Sequence, residues 1–198
     1  MILSDRQILS LLESGDIKIE PFRRECLGSN SYDVHLGPRI GTYVANPRVS
    51  ELVPYTELPK ELDAKVPSHF ATCDIPDEGI VLKPGLLYLA ATEEYTETHR
   101  FVPWLDGKSS VGRLGIRIHA TAGRGDVGFM NHWTLELDCV QPVRIYKGMP
   151  IGQLTYFETG PVETPYNKKA QAKYGTRASL PVPSAMHLNF DKETGKWK

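Results

Sequence analysis

Hydrophobic and polar positions follow a helical pattern at the start of the chain and strand-like patterns afterwards. Ser4 and Gln7 have the spacing of a capping box, which places a helix start directly after Ser4. The pattern therefore predicts a helix that begins at Asp5 and ends near Gly15. No second helix of comparable strength is predicted.

Beyond this helix the chain consists of short β-type runs broken by glycine and proline, of which there are 17 and 15. Tyr32, Val34 and Leu36 alternate with polar residues, as one face of a strand does. The predicted strands are 31–36, 85–91, 116–119, 133–139, 143–146 and 151–157. Many short strands without alternating long helices predict an all-β sandwich, jelly roll or closed barrel.

Two segments depart from the strand pattern. Residues 46–75 are rich in proline and charge, which predicts an excursion on the surface and not a linker between domains. After Gly160 the chain becomes polar and basic, as a terminal arm does. With 198 residues, 40% of them hydrophobic, the chain predicts one domain over 1–198, with residues 160–198 as a C-terminal arm.

Charge and cysteine content limit the classes of partner. Lys plus Arg is 23 and Asp plus Glu is 24, so we expect neither nucleic acid nor an anionic membrane as a partner. No stretch approaches the ~18 apolar residues of a membrane span, and the N-terminus lacks a signal-peptide pattern. Cys26, Cys73 and Cys139 are widely spaced, which fits neither a disulfide framework nor a Cys-x-x-Cys knuckle and predicts a cytoplasmic protein.

The first chemically dense segment is residues 106–115. It places Lys108, Ser109, Ser110 and Arg113 among three glycines. Glycine lets backbone N–H groups approach oxygens while Lys and Arg neutralise charge, so the segment can hold a polyphosphate. The residue order is not that of a P-loop, and no helix signal follows it. A solvated turn between strands is an equally good interpretation.

A second segment, residues 119–129, is built of small residues with one acid. Residues such as Thr121 and Ala122 let backbone groups contact the flat edge of a base, and Asp126 can accept a hydrogen bond from a sugar hydroxyl. On this segment alone, a tight loop in which Asp126 fixes a turn is the stronger interpretation.

The third segment places a carboxylate within an apolar strand. By strand alternation Thr134 and Glu136 share a face opposite Leu135 and Leu137, which predicts that Glu136 points into a pocket or barrel mouth. A carboxyl in such a place suits general acid/base chemistry. A strand glutamate that faces solvent is the alternative.

Taken in order, these segments resemble the dCTP deaminase branch of the dUTPase superfamily. The resemblance is carried by MILSD at 1–5, SYDV at 31–34, residues 107–136, IGQL at 151–154 and PYN at 165–167. It covers nearly the whole chain. It implies a dUTPase-like distorted β-barrel or jelly roll with a short N-terminal helix, a homotrimer with active sites at subunit interfaces, and an arm that closes over nucleotide.

The resemblance also implies an activity, hydrolysis of a cyclic amidine C–N bond that converts dCTP to dUTP and ammonia in dTTP precursor metabolism, with dTTP as an inhibitor. Glu136 would activate water for attack on C4 and relay protons. Ser109 and the carbonyl of Ala122 would position the water, and Arg113 would support the site. The implied nucleotide-binding residues are Lys108, Ser109, Ser110, Arg113, Thr121, Asp126, Thr134, Glu136, Gln153, Tyr166, Lys173 and Arg177.

Within that set, the resemblance assigns Asp126 to the 3′-hydroxyl and the backbone near Thr121 and Thr134 to the base. The residues assigned to the phosphates are Lys108, Ser110, Tyr166 and Lys173.

The metal expected from the resemblance is Mg²⁺, carried on the triphosphate. Zinc-dependent deaminases require a His-x-Glu and a Pro-Cys-x-x-Cys set. Neither set occurs in this chain, and its six histidines show no metal-ligand spacing. We therefore expect no protein-bound zinc.

The sequence supports more than one product, and two positions differ from the residues that are usual in the family. Gly123 resembles bifunctional members that form dUMP and pyrophosphate, whereas Arg124 resembles deaminase-only members. A plain dUTPase is a further alternative. A silent scaffold has little support, because the candidate catalytic residues are all present. Asn131 stands where a turn glycine is usual and is expected to keep a left-handed turn, and Arg177 falls near a usual Gln.

Overall fold

In the computed structural model, helix α1 spans Asp5–Ser14 and has the predicted bounds. Ser4 Oγ accepts a hydrogen bond from Gln7 N–H, and Gln7 Oε1 accepts one from Ser4 N–H at 2.9 Å. Gly15 ends the helix with a φ of 78°, a conformation in which a Cβ is strained. The capping box and the glycine stop that the sequence predicts are therefore both formed.

The structure describes residues 1–46 and 57–198, and this part of the chain contains ten strands. The strands are β1 (Ile17–Glu20), β2 (Tyr32–Tyr43), β3 (Phe70–Asp74), β4 (Ile80–Leu82), β5 (Tyr88–Thr98), β6 (Phe101–Gly107), β7 (Ile116–Arg117), β8 (Met130–Cys139), β9 (Val143–Ile145) and β10 (Pro150–Glu158). The short helical segments are α2 (Ser109–Gly112) and the 3₁₀ turns Arg24–Cys26, Tyr166–Lys168 and Met186–Asn189.

Eight of these strands form one antiparallel sheet. Its central order is β6-β10-β2-β5-β8-β7, with β1 paired to β5 and β3 paired to β2, while β4 and β9 form a separate pair. The sheet curls into a nearly closed barrel, so the predicted all-β barrel is confirmed. No helix among the described residues is long and apolar enough to cross a membrane.

All six predicted strands are present, but their ends differ. Strand β2 continues to Tyr43 because Gly41 lets β3 approach closely, and a Cβ there would lie 2.5 Å from Ala71 O. Strands β1, β3, β4 and β6 were not predicted, since they are short or, in β6, contain Pro103.

The prediction that residues 46–75 form a surface excursion is wrong for its last part. Phe70–Asp74 is strand β3, paired along β2, and Ala71 and Ile75 are buried. Residues 57–69 contain no helix or strand, and residues 47–56 lie outside the described part of the chain. The strand conformation of this segment depends on its pairing with the distant strand β2, and local composition gives no signal of that pairing.

A buried ion-pair network joins β2 to β5 where the register of β5 shifts between Ala91 and Tyr95. The Glu94 carboxylate is fully buried and accepts hydrogen bonds from His35 N at 2.8 Å and Arg23 Nη1 at 3.3 Å. His35 Nδ1 lies 2.6 Å from Glu94 Oε1. The carboxylate therefore supplies a side-chain acceptor for the backbone N–H of His35 on β2.

Candidate active site

A cleft of about 550 Å³ opens along one face of β8. Part of its wall comes from the loop 120–126, part from β8 and part from the arm. The cleft is lined by Tyr43, Leu87, Leu89, Ala120, Thr121, Ala122, Arg124, Gly125, Asp126, Phe129, Asn131, His132, Trp133, Thr134, Glu136, Tyr166, Tyr174, Val182 and Ser184.

The alternation of β8 directs Glu136 into this cleft. Leu135 and Leu137 are fully buried in the core, while Thr134 and Glu136 are half-buried and line the cleft, as the sequence predicts. Glu136 Oε2 accepts a hydrogen bond from Ala120 N–H at 2.8 Å. A charged acceptor bonded to a backbone donor has a defined orientation, so the loop fixes this carboxylate.

The small-residue loop packs tightly against β6, and Gly123 is the point of closest approach. Leu105 N donates to Gly123 O at 2.7 Å, and a Cβ on Gly123 would lie 2.3 Å from Leu105 O and 3.0 Å from His119 Nε2. Only a glycine fits here without displacing backbone. This contact sets the path of the loop that places Thr121 and Ala122 in the cleft.

We expect Gly123→Ala to lower the free energy of unfolding by about 1–3 kcal/mol, because the added methyl group overlaps a backbone oxygen that cannot rotate away. Denaturant unfolding at fixed protein concentration measures the effect. The control is Gly160→Ala, since a Cβ at Gly160 meets nothing within 4 Å. Equal stability of both variants would show that the loop yields to a side chain without cost.

The second carboxylate of the cleft, Asp126, already has a partner on the arm. Lys169 Nζ lies 2.9 Å from Asp126 Oδ2, and the two side chains are 46% and 48% exposed. An ion pair this exposed contributes little to stability. A ligand hydroxyl can therefore replace or share the lysine at small cost, and the carboxylate remains available to a ligand.

The structure brings six of the predicted site residues into one cleft and leaves seven outside it. Those that line the cleft are Thr121, Ala122, Asp126, Thr134, Glu136 and Tyr166. Those that do not line it are Lys108, Ser109, Ser110, Arg113, Gln153, Lys173 and Arg177.

Two of the residues outside the cleft share one partner on β2. Lys108 Nζ lies 2.5 Å from Asp33 Oδ2, and Gln153 Nε2 donates to Asp33 Oδ1 at 3.0 Å. This cluster lies on the β10–β2 side of the sheet. Within one chain, Lys108 and Gln153 thus both bond to Asp33 and do not line the cleft.

The hydroxyl-rich segment after β6 contains one helical turn, which the sequence pattern did not predict, and strand β7 follows the segment. Helix α2, Ser109–Gly112, is held by buried Val111, whereas Ser109, Ser110 and Arg113 are exposed. Four residues are too few to show a helical hydrophobic period, which explains why the sequence pattern missed the turn.

Arg177 lies over an aromatic ring outside the cleft. Its guanidinium carbon is 4.0 Å from the centroid of the Tyr95 ring. Burial raises the pKa of Tyr95 to about 12, with a hydrogen bond to Glu97 adding to the rise and Arg177 opposing it. Arg177 thus holds the arm to β5 by a cation–π contact.

Sequence reasoning missed the aromatic wall of the cleft. The Phe129 ring lies 4.6 Å from the Trp133 ring and 6.1 Å from the Tyr166 ring, measured between centroids. Tyr43 and Tyr174 also line the cleft. The spacing of Phe129 and Trp133 around β8 was the available signal, but aromatic residues on a strand equally indicate core packing.

The arm runs along the cleft and bonds to its walls. Tyr166 N donates to Val127 O at 2.7 Å, Val182 N donates to Thr134 Oγ1 at 3.2 Å, and Ser184 N donates to Tyr43 OH at 3.0 Å. These bonds order a segment that contains no strand. In this structure the arm and the cleft belong to the same chain.

Asn131 occupies a strand and not a turn, so the left-handed turn expected there is wrong. Its side chain is buried, at 3% exposure, within β8, and no residue other than glycine has a positive φ in the described part of the chain. The amide group of Asn131 bonds to the arm, which no local sequence signal indicates.

A possible metal-ligand group lies away from the cleft. In residues 1–46 and 57–198, the grouped ligand-type side chains are His35, Glu93 and Glu94. Arg23 already pairs with both carboxylates, at 2.5 Å from Glu93 Oε1 and 3.3 Å from Glu94 Oε1. A cation would have to displace this guanidinium, so the group fits an ion-pair network better than a metal site.

Comparison with known proteins agrees with the fold. The chain belongs to the class of all-β barrel proteins built on one antiparallel sheet. A family model described as dCTP deaminase-like matches residues 2–159, and the chain belongs to that family.

Two relatives are similar over nearly their whole length. A protein of Clostridium acetobutylicum named "dCTP deaminase, dUMP-forming" is 44% identical over 190 residues, covering 96% of this chain and 99% of its own. A protein of Leptospira biflexa with the same name is 42% identical over 194 residues, covering 98% and 100%.

Among solved structures, the 2′-deoxycytidine 5′-triphosphate deaminase of Agrobacterium tumefaciens has a TM-score of 0.56 at 21% identity. The match covers 82% of this chain and 50% of that one. At this identity the likeness supports the fold.

Proposed function

We propose that this chain deaminates dCTP and continues the reaction to dUMP and pyrophosphate. The observation that carries the deamination step is the position of Glu136, whose Oε2 is held by Ala120 N–H at 2.8 Å beside the small-residue loop. The names of the two relatives favour dUMP as the product, over the dUTP expected as the main product from the sequence. Gly123 resembles the bifunctional members and Arg124 the deaminase-only members, so the names of the relatives carry the choice of product.

In the first step, water adds to C4 of cytosine and ammonia leaves, so that dCTP and water give dUTP and ammonia. Glu136 takes a proton from the attacking water, delivers it to N3 and relays a second proton to the departing amino group. Because Ala120 N–H occupies Oε2, Oε1 is the oxygen that exchanges these protons. Ser109 and the backbone carbonyl of Ala122 position this water.

In the second step, water attacks the α-phosphorus of dUTP and pyrophosphate leaves, so that dUTP and water give dUMP and pyrophosphate. Mg²⁺ carried on the triphosphate supplies charge neutralisation at the leaving group. Asp126 holds the 3′-hydroxyl, which keeps the sugar in place for both steps. One cleft then serves both reactions without release of dUTP.

The phosphate-binding part of this site requires a second chain. Lys108, Ser109, Ser110 and Arg113 do not line the cleft of their own chain, and the last three are exposed. A homotrimer that turns α2 and its flanks toward a neighbour's cleft completes the site. Mixing inactive Glu136→Gln and Ser109→Ala chains would then restore activity, because some mixed sites have both native residues.

The central experiment incubates purified protein with dCTP and Mg²⁺ and separates dUTP, dUMP and pyrophosphate by chromatography. We expect dUMP and pyrophosphate to form in equal amounts without accumulation of dUTP. Accumulated dUTP would support deamination alone, and turnover of dUTP but not dCTP would support a plain dUTPase. Turnover of neither nucleotide would overturn the proposal.

A further inference from the structure

The side chain of Asn131 bonds to three backbone groups of the arm. Its Nδ2 donates to Tyr174 O at 3.1 Å and to Thr176 O at 2.9 Å, and its Oδ1 accepts from Ala178 N at 2.8 Å. The bonded arm residues are two apart, as along one edge of an extended segment. One amide therefore holds five consecutive residues of the arm against β8.

These bonds use the full donor capacity of the amide in a buried place. Asn131 is 3% exposed, and its Oδ1 also accepts from His132 N at 2.9 Å. A carboxamide has two donor hydrogens and an oxygen with two lone pairs, so each is engaged. Loss of such bonds at a buried position leaves polar groups without partners, which is costly. The glycine usual at this position has no side chain to make them.

The segment that Asn131 holds leads directly into the wall of the cleft. Tyr174 lines the cleft, and its hydroxyl accepts a hydrogen bond from Ala185 N at 3.1 Å. Val182 and Ser184, further along the arm, also line the cleft. Asn131 thus anchors the beginning of the covering segment, while Thr134 and Tyr43 hold its continuation.

We propose that Asn131 is a positioning residue that latches the arm over the cleft and so determines how firmly the nucleotide is retained. This inference rests on the proposed function of the cleft. Asn131 acts through the arm and not on the reacting atoms. Releasing the latch weakens the grip on substrate and transition state alike, which raises KM and leaves kcat nearly unchanged.

Two variants test the latch from opposite sides. Asn131→Asp keeps the size of the side chain but replaces the two donors by an oxygen facing the carbonyls of Tyr174 and Thr176. Ala178→Pro removes the arm N–H that donates to Asn131 Oδ1 and leaves the barrel untouched. The control is Asn189→Asp, the same chemical change in the arm, where the amide donates to Met186 Sδ.

The rate of amide hydrogen exchange in residues 174–185, measured without nucleotide, tests the attachment of the arm independently of activity. We expect this segment to exchange at least ~10-fold faster in both variants, because each loses hydrogen bonds that hold the arm. In dCTP turnover, KM should rise by ~10-fold or more while kcat stays within about twofold, and the control should match the unmodified protein in both measurements.

Unchanged exchange and unchanged KM in both variants would overturn the latch. A fall in kcat with unchanged KM and exchange would also overturn it, because Asn131 would then act on the reaction itself. The proposed function fails separately, by absence of turnover in the unmodified protein, and in that case the exchange measurement still decides whether Asn131 holds the arm.

Discussion

Replacing Glu136 with Gln is expected to lower the rate of dCTP deamination at least ~100-fold, while nucleotide binding persists. The amide has the size of the carboxylate, and its Oε1 can still accept the Ala120 N–H, so the loop keeps its place. An amide cannot take a proton from water and return it to the base. Steady-state turnover of dCTP and calorimetric binding of the same nucleotide separate the two effects.

The matched control is Glu20→Gln, the same substitution at a strand residue that lies outside the cleft and pairs with Lys18. Its deamination rate should equal that of the unmodified protein. If Glu136→Gln deaminates at the normal rate, Glu136 has no part in proton transfer. If the variant loses nucleotide binding as well, the carboxylate holds the base and the rate effect is not evidence for acid/base catalysis.

Replacing Glu94 with Ala is expected to lower the free energy of unfolding by about 3–5 kcal/mol, because it removes one partner from a buried ion pair. Arg23 would lose its buried partner, and His35 N–H would lose its carboxylate acceptor. A small cavity adds to the cost. Denaturant unfolding at fixed protein concentration measures this difference.

Glu93→Ala is the control, because Glu93 is the neighbouring residue and pairs with the same Arg23 at 2.5 Å. Its side chain is 35% exposed, so its loss should cost no more than about 1 kcal/mol. A similar cost for both variants would show that burial of Glu94 does not amplify its contribution. Stability of Glu94→Ala equal to that of the unmodified protein would exclude the network as a stabilising element.

Those parts of the fold that depend on interactions between residues close in the sequence could be predicted. The cap at Ser4 and the stop at Gly15 satisfy the ends of one helix with neighbouring residues, so they leave a readable signal. Strand β8 has one buried face along its whole length, and its alternation placed Glu136 on the opposite face correctly. Strand β3 carried no comparable signal, because it is recognised only by its pairing with β2.

The candidate site was predictable in part. Resemblance to the family supplied both the residues that share the cleft and those that lie elsewhere in the chain, such as Lys108 and Gln153. Which of them meet within one chain depends on how distant strands are arranged. Asn131 shows the limit most clearly, since it was interpreted as a turn residue and is a buried strand residue whose partners lie about 45 positions away.

Periodicity and capping among neighbouring residues were enough to predict the all-β class, the N-terminal helix and the face of β8 that carries Glu136. The set of residues that line the cleft, the lack of space for a side chain at Gly123 and the attachment of the arm to Asn131 are visible only in the folded chain. These features arise from contacts between segments far apart in the chain, and no local pattern records which segments will meet.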